Sequence, residues 1–200
     1  PEHISLCGES AGGGLCYALC LKLKEKGMAQ PASVIAISPW VDLTASGESY
    51  ETNRDADVSL NEALLSAFTD NYTNDRTDPF ASPLLADLTG LPPSLIFAGG
   101  DEILLSDAEQ MHKKLLAARC KSHLVVTPER WHAYVLYCLE EDKKDFVTLG
   151  RFLSRTLAEE RKLRWMPLDN AAKIYPAARN QNWSNVFRLS ATLTETVDTE

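Results

Sequence analysis

The stretch 3-HISLCGESAGGGLCYALC-20 passes from a short apolar run, through a serine set between glycines, into an apolar pattern of helical spacing. Ile4 to Cys7 reads as a strand, and Leu15 to Lys26 as a helix with Leu15, Ala18, Leu19 and Leu23 on one face. Between them Gly8-Glu9-Ser10-Ala11-Gly12 forms a G-x-S-x-G pentapeptide. As a bare pattern this is weak, because small residues gather in turns of every kind. The strand before it and the helix after it supply the context of a sharp turn that lifts a serine hydroxyl out of the chain, a nucleophile elbow. The start of the helix adds free N–H groups and a positive dipole end beside Ser10, which suits a developing oxyanion. The plain alternative, a phosphate loop, lacks its lysine: Gly14-Leu15 stand where Lys-Ser/Thr would follow.

The rest of the chain repeats this rhythm. Val34 to Ser38, Leu95 to Ala98 and Leu124 to Thr127 are further strand-length apolar runs, followed by helical patterns at Leu105 to Leu116 and Lys143 to Leu157. Parallel strands covered on both faces read as unbroken apolar runs, so the class is α/β. The segment from Leu43 to Pro93 is too long for a simple crossover. It contains a predicted helix from Asn61 to Tyr72, with Leu64, Leu65, Phe68 and Tyr72 at helical spacing, and has the character of a cap or substrate wall.

Composition narrows the partners. The chain has 200 residues, 44% of them hydrophobic and 24% charged, and a net charge of -8, so no basic stripe is present for a nucleic-acid backbone or an anionic membrane surface. No window approaches the ~20 apolar residues of a membrane helix. The five cysteines, an odd count without a C-x-x-C pair, point to reduced thiols and a cytoplasmic setting. Cys16 and Cys20, four apart on the helix, have a spacing that a metal can use, but their apolar neighbours favour small buried hydrophobes. No metal and no organic cofactor is expected.

A serine nucleophile needs a base, and the base an orienting acid. Of the four histidines, His3 opens the first strand, His112 lies in a helix and His123 begins the last strand. His132, in "PERWHAY", alone follows the C-terminal end of a strand, the edge at which Ser10 sits and α/β sites assemble. The corresponding acid is Asp101 in "SLIFAGGDEILLSDA", with Asp42 in "SPWVD" as its rival. Glu102 and Asp107 read as first-turn helix charges. Trp40, Trp131, Phe68 and Tyr72 are candidates for an apolar substrate wall or for core.

The blocks "GESAGGGL", "ISPWVDLTASGES", "DPFASPLLADLTGLPPSLIFAGGDEILLSDA" and "RWHAYVLY" resemble the hormone-sensitive-lipase-like esterases over roughly residues 1 to 157. The resemblance implies the C-terminal half of an α/β-hydrolase fold, four parallel strands with flanking helices, followed by a C-terminal extension. It implies Ser10 as nucleophile, His132 as base and Asp101 as acid, in the chain order of that fold. The elbow would comprise Gly8, Glu9, Ala11 and Gly12, with the Ala11 N–H as one oxyanion donor. The substrate would be a small-molecule ester, cleaved through an acyl-enzyme. Glu9 departs from the family's commoner Asp or Thr. The family's upstream His-Gly-Gly loop has no counterpart here, so a covalently linked upstream half-domain is expected and the chain alone is expected to be inactive.

The expected domains are the hydrolase part at 1–157, with its cap region at 43–93, a linker at 158–166, and a second domain or extension at 167–200. "PLDNAAKIYPAARNQNWSNVFRLSATLTETVD" is faintly similar to the opening of condensation-type and alcohol-acetyltransferase-like acyltransferases. Two alternatives to ester hydrolysis remain open: the hydrolase half of an acyl-transferring fusion, and a non-catalytic binding module on the same scaffold.

Overall fold

The computed structural model describes residue 1 and residues 3–157. The linker and second-domain expectations for 158–166 and 167–200, and the acyltransferase likeness, lie outside the described residues. Four strands, β1 (Ser5–Glu9), β2 (Ser33–Ile37), β3 (Ser94–Gly99) and β4 (Ser122–Thr127), form one parallel sheet in sequential order. The register aligns Glu9 with Ile37 across β1–β2, Ile37 with Phe97 across β2–β3, and Gly99 with Thr127 across β3–β4. The ends of all four strands therefore meet at one edge. β2 and β3 are buried at every position, as the apolar runs that follow Ser33 and Ser94 require, while β1 and β4 are mostly partly buried.

Helix α1 (Ala11–Glu25) follows β1, and α4 (Leu105–Ala117) connects β3 to β4. The core joins Tyr17, Cys20 and Leu21 of α1 to Val34 and Ala36 of β2, Ile96 and Ala98 of β3, and Ala108, Met111 and Leu115 of α4. The inward face of α1 differs from the sequence expectation: Tyr17, Cys20 and Leu21 are buried, whereas Leu15 and Leu19 are exposed. Two glycines set this orientation by letting α1 lie against the loop after β2. A Cβ on Gly14 would stand 2.3 Å from the Trp40 carbonyl oxygen, and one on Gly13 would stand 2.9 Å from Pro39.

Between β2 and β3 the chain makes a short helix α2 (Ser49–Thr52) and a longer α3 (Glu62–Tyr72). Asn61 caps α3, its Oδ1 accepting the Leu64 N–H at 2.9 Å, so the helix begins at Glu62, one residue after the expected Asn61 start. Leu65 and Thr69 face inward; Leu64, Phe68 and Tyr72 are exposed. A second smaller core of Trp40, Leu43, Tyr50, Leu65, Ile103 and Leu104 anchors this excursion to the turn after β3. The chain divides into two compact units after Tyr134. The second unit contains helix α5 (Lys143–Thr156), reached through a short 3₁₀ turn at Glu140–Asp142. No helix among the described residues is long and apolar enough to cross a membrane.

Candidate active site

Ser10 stands at the junction of β1 and α1 with φ 54° and ψ -122°, a conformation that a non-glycine residue adopts only when its surroundings impose it. The surroundings do so through hydrogen bonds. The Ser10 N–H donates to the Ile37 carbonyl at 2.9 Å, and the Ser10 carbonyl accepts from the N–H groups of Gly13, Gly14 and Trp40 at 3.0, 3.2 and 3.0 Å. Gly8 makes the tight turn possible, since a Cβ there would meet the Gly12 carbonyl oxygen at 2.2 Å. Gly12 is not required in this way: nothing lies within 4 Å of the Cβ it would carry. Ala11 heads α1, among the amides that a helix leaves without an intrahelical acceptor.

His132 follows β4 in a loop that closes over the end of β3. Asp101 N–H donates to the Arg130 carbonyl at 2.9 Å, and a Cβ on Gly99 would lie 2.3 Å from that same oxygen. The imidazole is 8% exposed and held between two carboxylates. Nδ1 lies 3.0 Å from Glu102 Oε2. Nε2 lies 3.6 Å from Oε1 of Glu9, the residue before Ser10.

The carboxylate that reaches His132 is thus that of Glu102; Asp101, the acid expected from the sequence, is not brought to the ring. The turn explains the exchange. α4 begins at Leu105, so Asp101 to Leu104 form a turn, and Glu102 is not a first-turn helix charge. Its wholly buried side chain folds back beneath the strand end, where Oε1 accepts the Gly99 N–H at 3.2 Å. Burial pushes the Glu102 carboxyl above its ordinary range, against the opposing pull of His132, Ser38 and the Gly99 N–H.

Ser38 also escaped the sequence reading. It follows β2, has φ 47°, and its Oγ accepts the Ala133 N–H at 2.9 Å while its hydroxyl lies against Glu102. Ala133, next to His132, has φ 58°. The signal available in the sequence was positional: a serine closing an apolar strand at the edge shared with Ser10.

The other candidates have structural tasks. Asp42 is 1% exposed, and its carboxylate accepts from the hydroxyl and N–H of both Thr44 and Ser46. Burial raises the Asp42 pKa, but those bonds outweigh it and hold the carboxyl below its usual range. Asp107 does lie in the first turn of α4, yet it is 1% exposed; its Oδ2 accepts the N–H groups of Val41 and Asp42, each at 2.9 Å. Burial pushes its carboxyl up to about 8. Trp40 belongs to the smaller core, whereas Phe68 and Tyr72 are exposed on α3 and Trp131 is half-buried beside His132. His3 is exposed, and His112 Nδ1 pairs with Ser122 Oγ at 2.8 Å. Burial raises the Cys16 and Cys20 thiols to about 11 and about 12, which keeps them protonated. Among the described residues no cluster of three or more His, Cys, Asp or Glu side chains is arranged to hold a metal.

A parallel sheet that gathers a strained elbow serine, a histidine and a buried acid at one edge defines a class, and comparison with known proteins agrees with it. Residues 1–136 match the family model of the α/β-hydrolase fold. The chain belongs to that family. It is 35% identical over 163 residues to an acetyl-hydrolase of Streptomyces hygroscopicus, covering 80% of this chain and 54% of that protein. It is 36% identical over 140 residues to an esterase of Acinetobacter venetianus, covering 68% and 46% respectively. Among solved structures, an esterase of the bacterial hormone-sensitive lipase family superposes with a TM-score of 0.75 at 36% identity, covering 79% of this chain and 55% of that one. The chain spans about half the length of the curated relatives it matches.

Proposed function

We propose that the protein carrying this chain is a serine hydrolase of carboxylic esters. One observation carries the reading: a buried imidazole has a wholly buried carboxylate at Nδ1, and its Nε2 is turned to the strained elbow that presents Ser10. In this reading Glu102 holds the proton on Nδ1, which leaves the Nε2 lone pair to take the Ser10 hydroxyl proton. Ser10 Oγ attacks the ester carbonyl, and the alkoxide charge falls toward the Ala11 N–H at the start of α1. Protonated His132 then gives its proton to the departing alcohol. Water, deprotonated by the same nitrogen, attacks the acyl-enzyme, and Ser10 is released. The names of the relatives, acetyl-hydrolase and esterase, favour a short acyl group.

Removing a single oxyanion donor costs ~10²–10³ in turnover, and the chain spans about half of its relatives; by itself it is proposed to be inactive. The five free cysteines favour a reducing compartment, and the cytoplasm is the location proposed. The test is fluorophosphonate labelling of the full-length protein, with hydrolysis of short p-nitrophenyl esters. Label on Ser10, with both signals lost in Ser10→Ala, is expected; undiminished hydrolysis in that variant overturns the reading. Added alcohol acceptors distinguish hydrolysis from acyl transfer in the same assay.

A further inference from the structure

Glu9 ends β1 immediately before the elbow, and its carboxylate is 42% exposed. A glutamate in this place has two plausible employments, tying down the turn or acting on the site. Its contacts decide between them. Among the described residues its carboxylate has a single ion-pair partner, His132, with Oε1 3.6 Å from Nε2. That nitrogen is the one opposite Glu102, whose Oε2 lies 3.0 Å from Nδ1. At 3.6 Å a carboxylate is too far to take a hydrogen bond from the ring, so it does not compete with Ser10 for Nε2, yet it is near enough for its charge to be felt. Exposure keeps the desolvation cost of that charge small, and the start of α1 favours an anion at this point.

We propose that Glu9 is a second carboxylate of the histidine, a positioning residue whose charge beside Nε2 favours the imidazolium formed when His132 takes the Ser10 proton. The inference rests on the serine-hydrolase reading above. Neutral His132 gains little from Glu9, because a lone pair then faces the anion. The imidazolium gains a counter-charge on the ring atom that Glu102 does not reach. Glu9 therefore acts in the step where charge appears, lowering the barrier without tightening the resting site. Among the described residues the other carboxylate against the ring is Glu102, from the turn after β3; Glu129 and Arg130 precede His132 in its own loop, where Arg130 donates to the Glu129 carbonyl at 3.4 Å.

The experiment compares Glu9→Gln, which keeps shape and removes charge, with Glu9→Asp, which keeps charge, in the full-length protein. An opposite charge within ~4–6 Å moves a pKa by about one unit or more when buried and by less when exposed. Glu9→Gln is expected to shift the acid limb of the kcat/KM profile down by roughly half to one unit and to lower plateau kcat about tenfold, with KM little changed. Glu9→Asp is expected to restore much of both. The same downward shift is expected for the His132 ring protons followed by NMR in the Ser10→Ala background, a measurement that needs no turnover. An acid limb and NMR titration that stay in place in Glu9→Gln overturn the proposal, even if activity falls, because a merely structural role would leave them unmoved. Failure of Ser10 to label, with hydrolysis surviving in Ser10→Ala, overturns both readings, whereas Ser10-dependent hydrolysis with an unmoved limb overturns this one alone.

Discussion

Replacing Glu102 by glutamine tests which carboxylate serves His132, and the local bonding gives its magnitude. Glu102 uses both oxygens: Oε1 accepts the Gly99 N–H at 3.2 Å and Oε2 faces Nδ1 at 3.0 Å. Glutamine has one oxygen to give. If that oxygen stays on Gly99, the NH₂ group faces Nδ1, which must become an acceptor; the ring proton then moves to Nε2, and the base is lost. If the oxygen turns to His132, the NH₂ group confronts the Gly99 N–H in a site with no exposure, at a cost of about 1–3 kcal/mol. The useful tautomer is thereby disfavoured by a factor of roughly 5 to 150. The imidazolium also loses its buried counter-charge. Together these give a fall of ~10³–10⁴ in kcat, the scale found for acid-to-amide changes in Ser-His-Asp enzymes. Because burial already disfavours the Glu102 charge, the thermal midpoint of Glu102→Gln is expected to hold or rise. Asp101→Asn, whose backbone bond to Arg130 survives the change, is expected to stay within about threefold of wild type. Steady-state hydrolysis of a p-nitrophenyl ester decides the matter. A collapse in Asp101→Asn, with Glu102→Gln within tenfold of wild type, would refute this assignment.

Three further outcomes follow from the same geometry. Gly8→Ala places a methyl group 2.2 Å from the Gly12 carbonyl oxygen and is expected to cost about 3 kcal/mol or more, whereas Gly12→Ala, with open space around its Cβ, is expected to stabilise α1 by ~0.5–1 kcal/mol; chemical denaturation of both variants checks the contrast. Ser10→Gly is expected to gain ~1 kcal/mol by releasing backbone strain at φ 54° while abolishing fluorophosphonate labelling, and an unchanged or lowered unfolding midpoint would count against strain at the elbow. Asp107, raised from 3.8 to about 8, binds its proton more tightly in the folded state, so its stabilising contribution is full below about pH 4 and is lost as pH rises toward 8. In thermal unfolding between pH 5 and 8, Asp107→Asn is expected to flatten that decline by a few degrees.

The sheet was legible in the sequence because β2 and β3 are buried on both faces, which leaves no polar position to break the run from Val34 to Ile37 or from Leu95 to Gly99. The elbow was legible for a local reason, since strand, turn and helix are contiguous. The acid was not. Asp101 and Glu102 are neighbours at the same strand end, and which of them reaches His132 depends on a turn fixed by Gly99, the last residue of β3, and Arg130, in the loop after β4. Helix α3 shows the same limit: of its apolar stripe of Leu64, Leu65, Phe68 and Tyr72, plain in the sequence, only Leu65 turns inward, beside Thr69. Periodicity reveals that a stripe exists without saying what covers it. Ser38 carried no local motif, and its bond spans 95 residues to Ala133.

The three N–H groups that converge on the Ser10 carbonyl come from two places in the chain, Gly13 and Gly14 of α1 and Trp40 beyond β2. This oxygen is a rivet between the elbow and the buried centre of the sheet. The amides that hold it should therefore exchange with solvent only on global unfolding, whereas the exposed side of α3 can open at lower cost. On gradual heating such a molecule would lose the shape of its long excursion first and the elbow last.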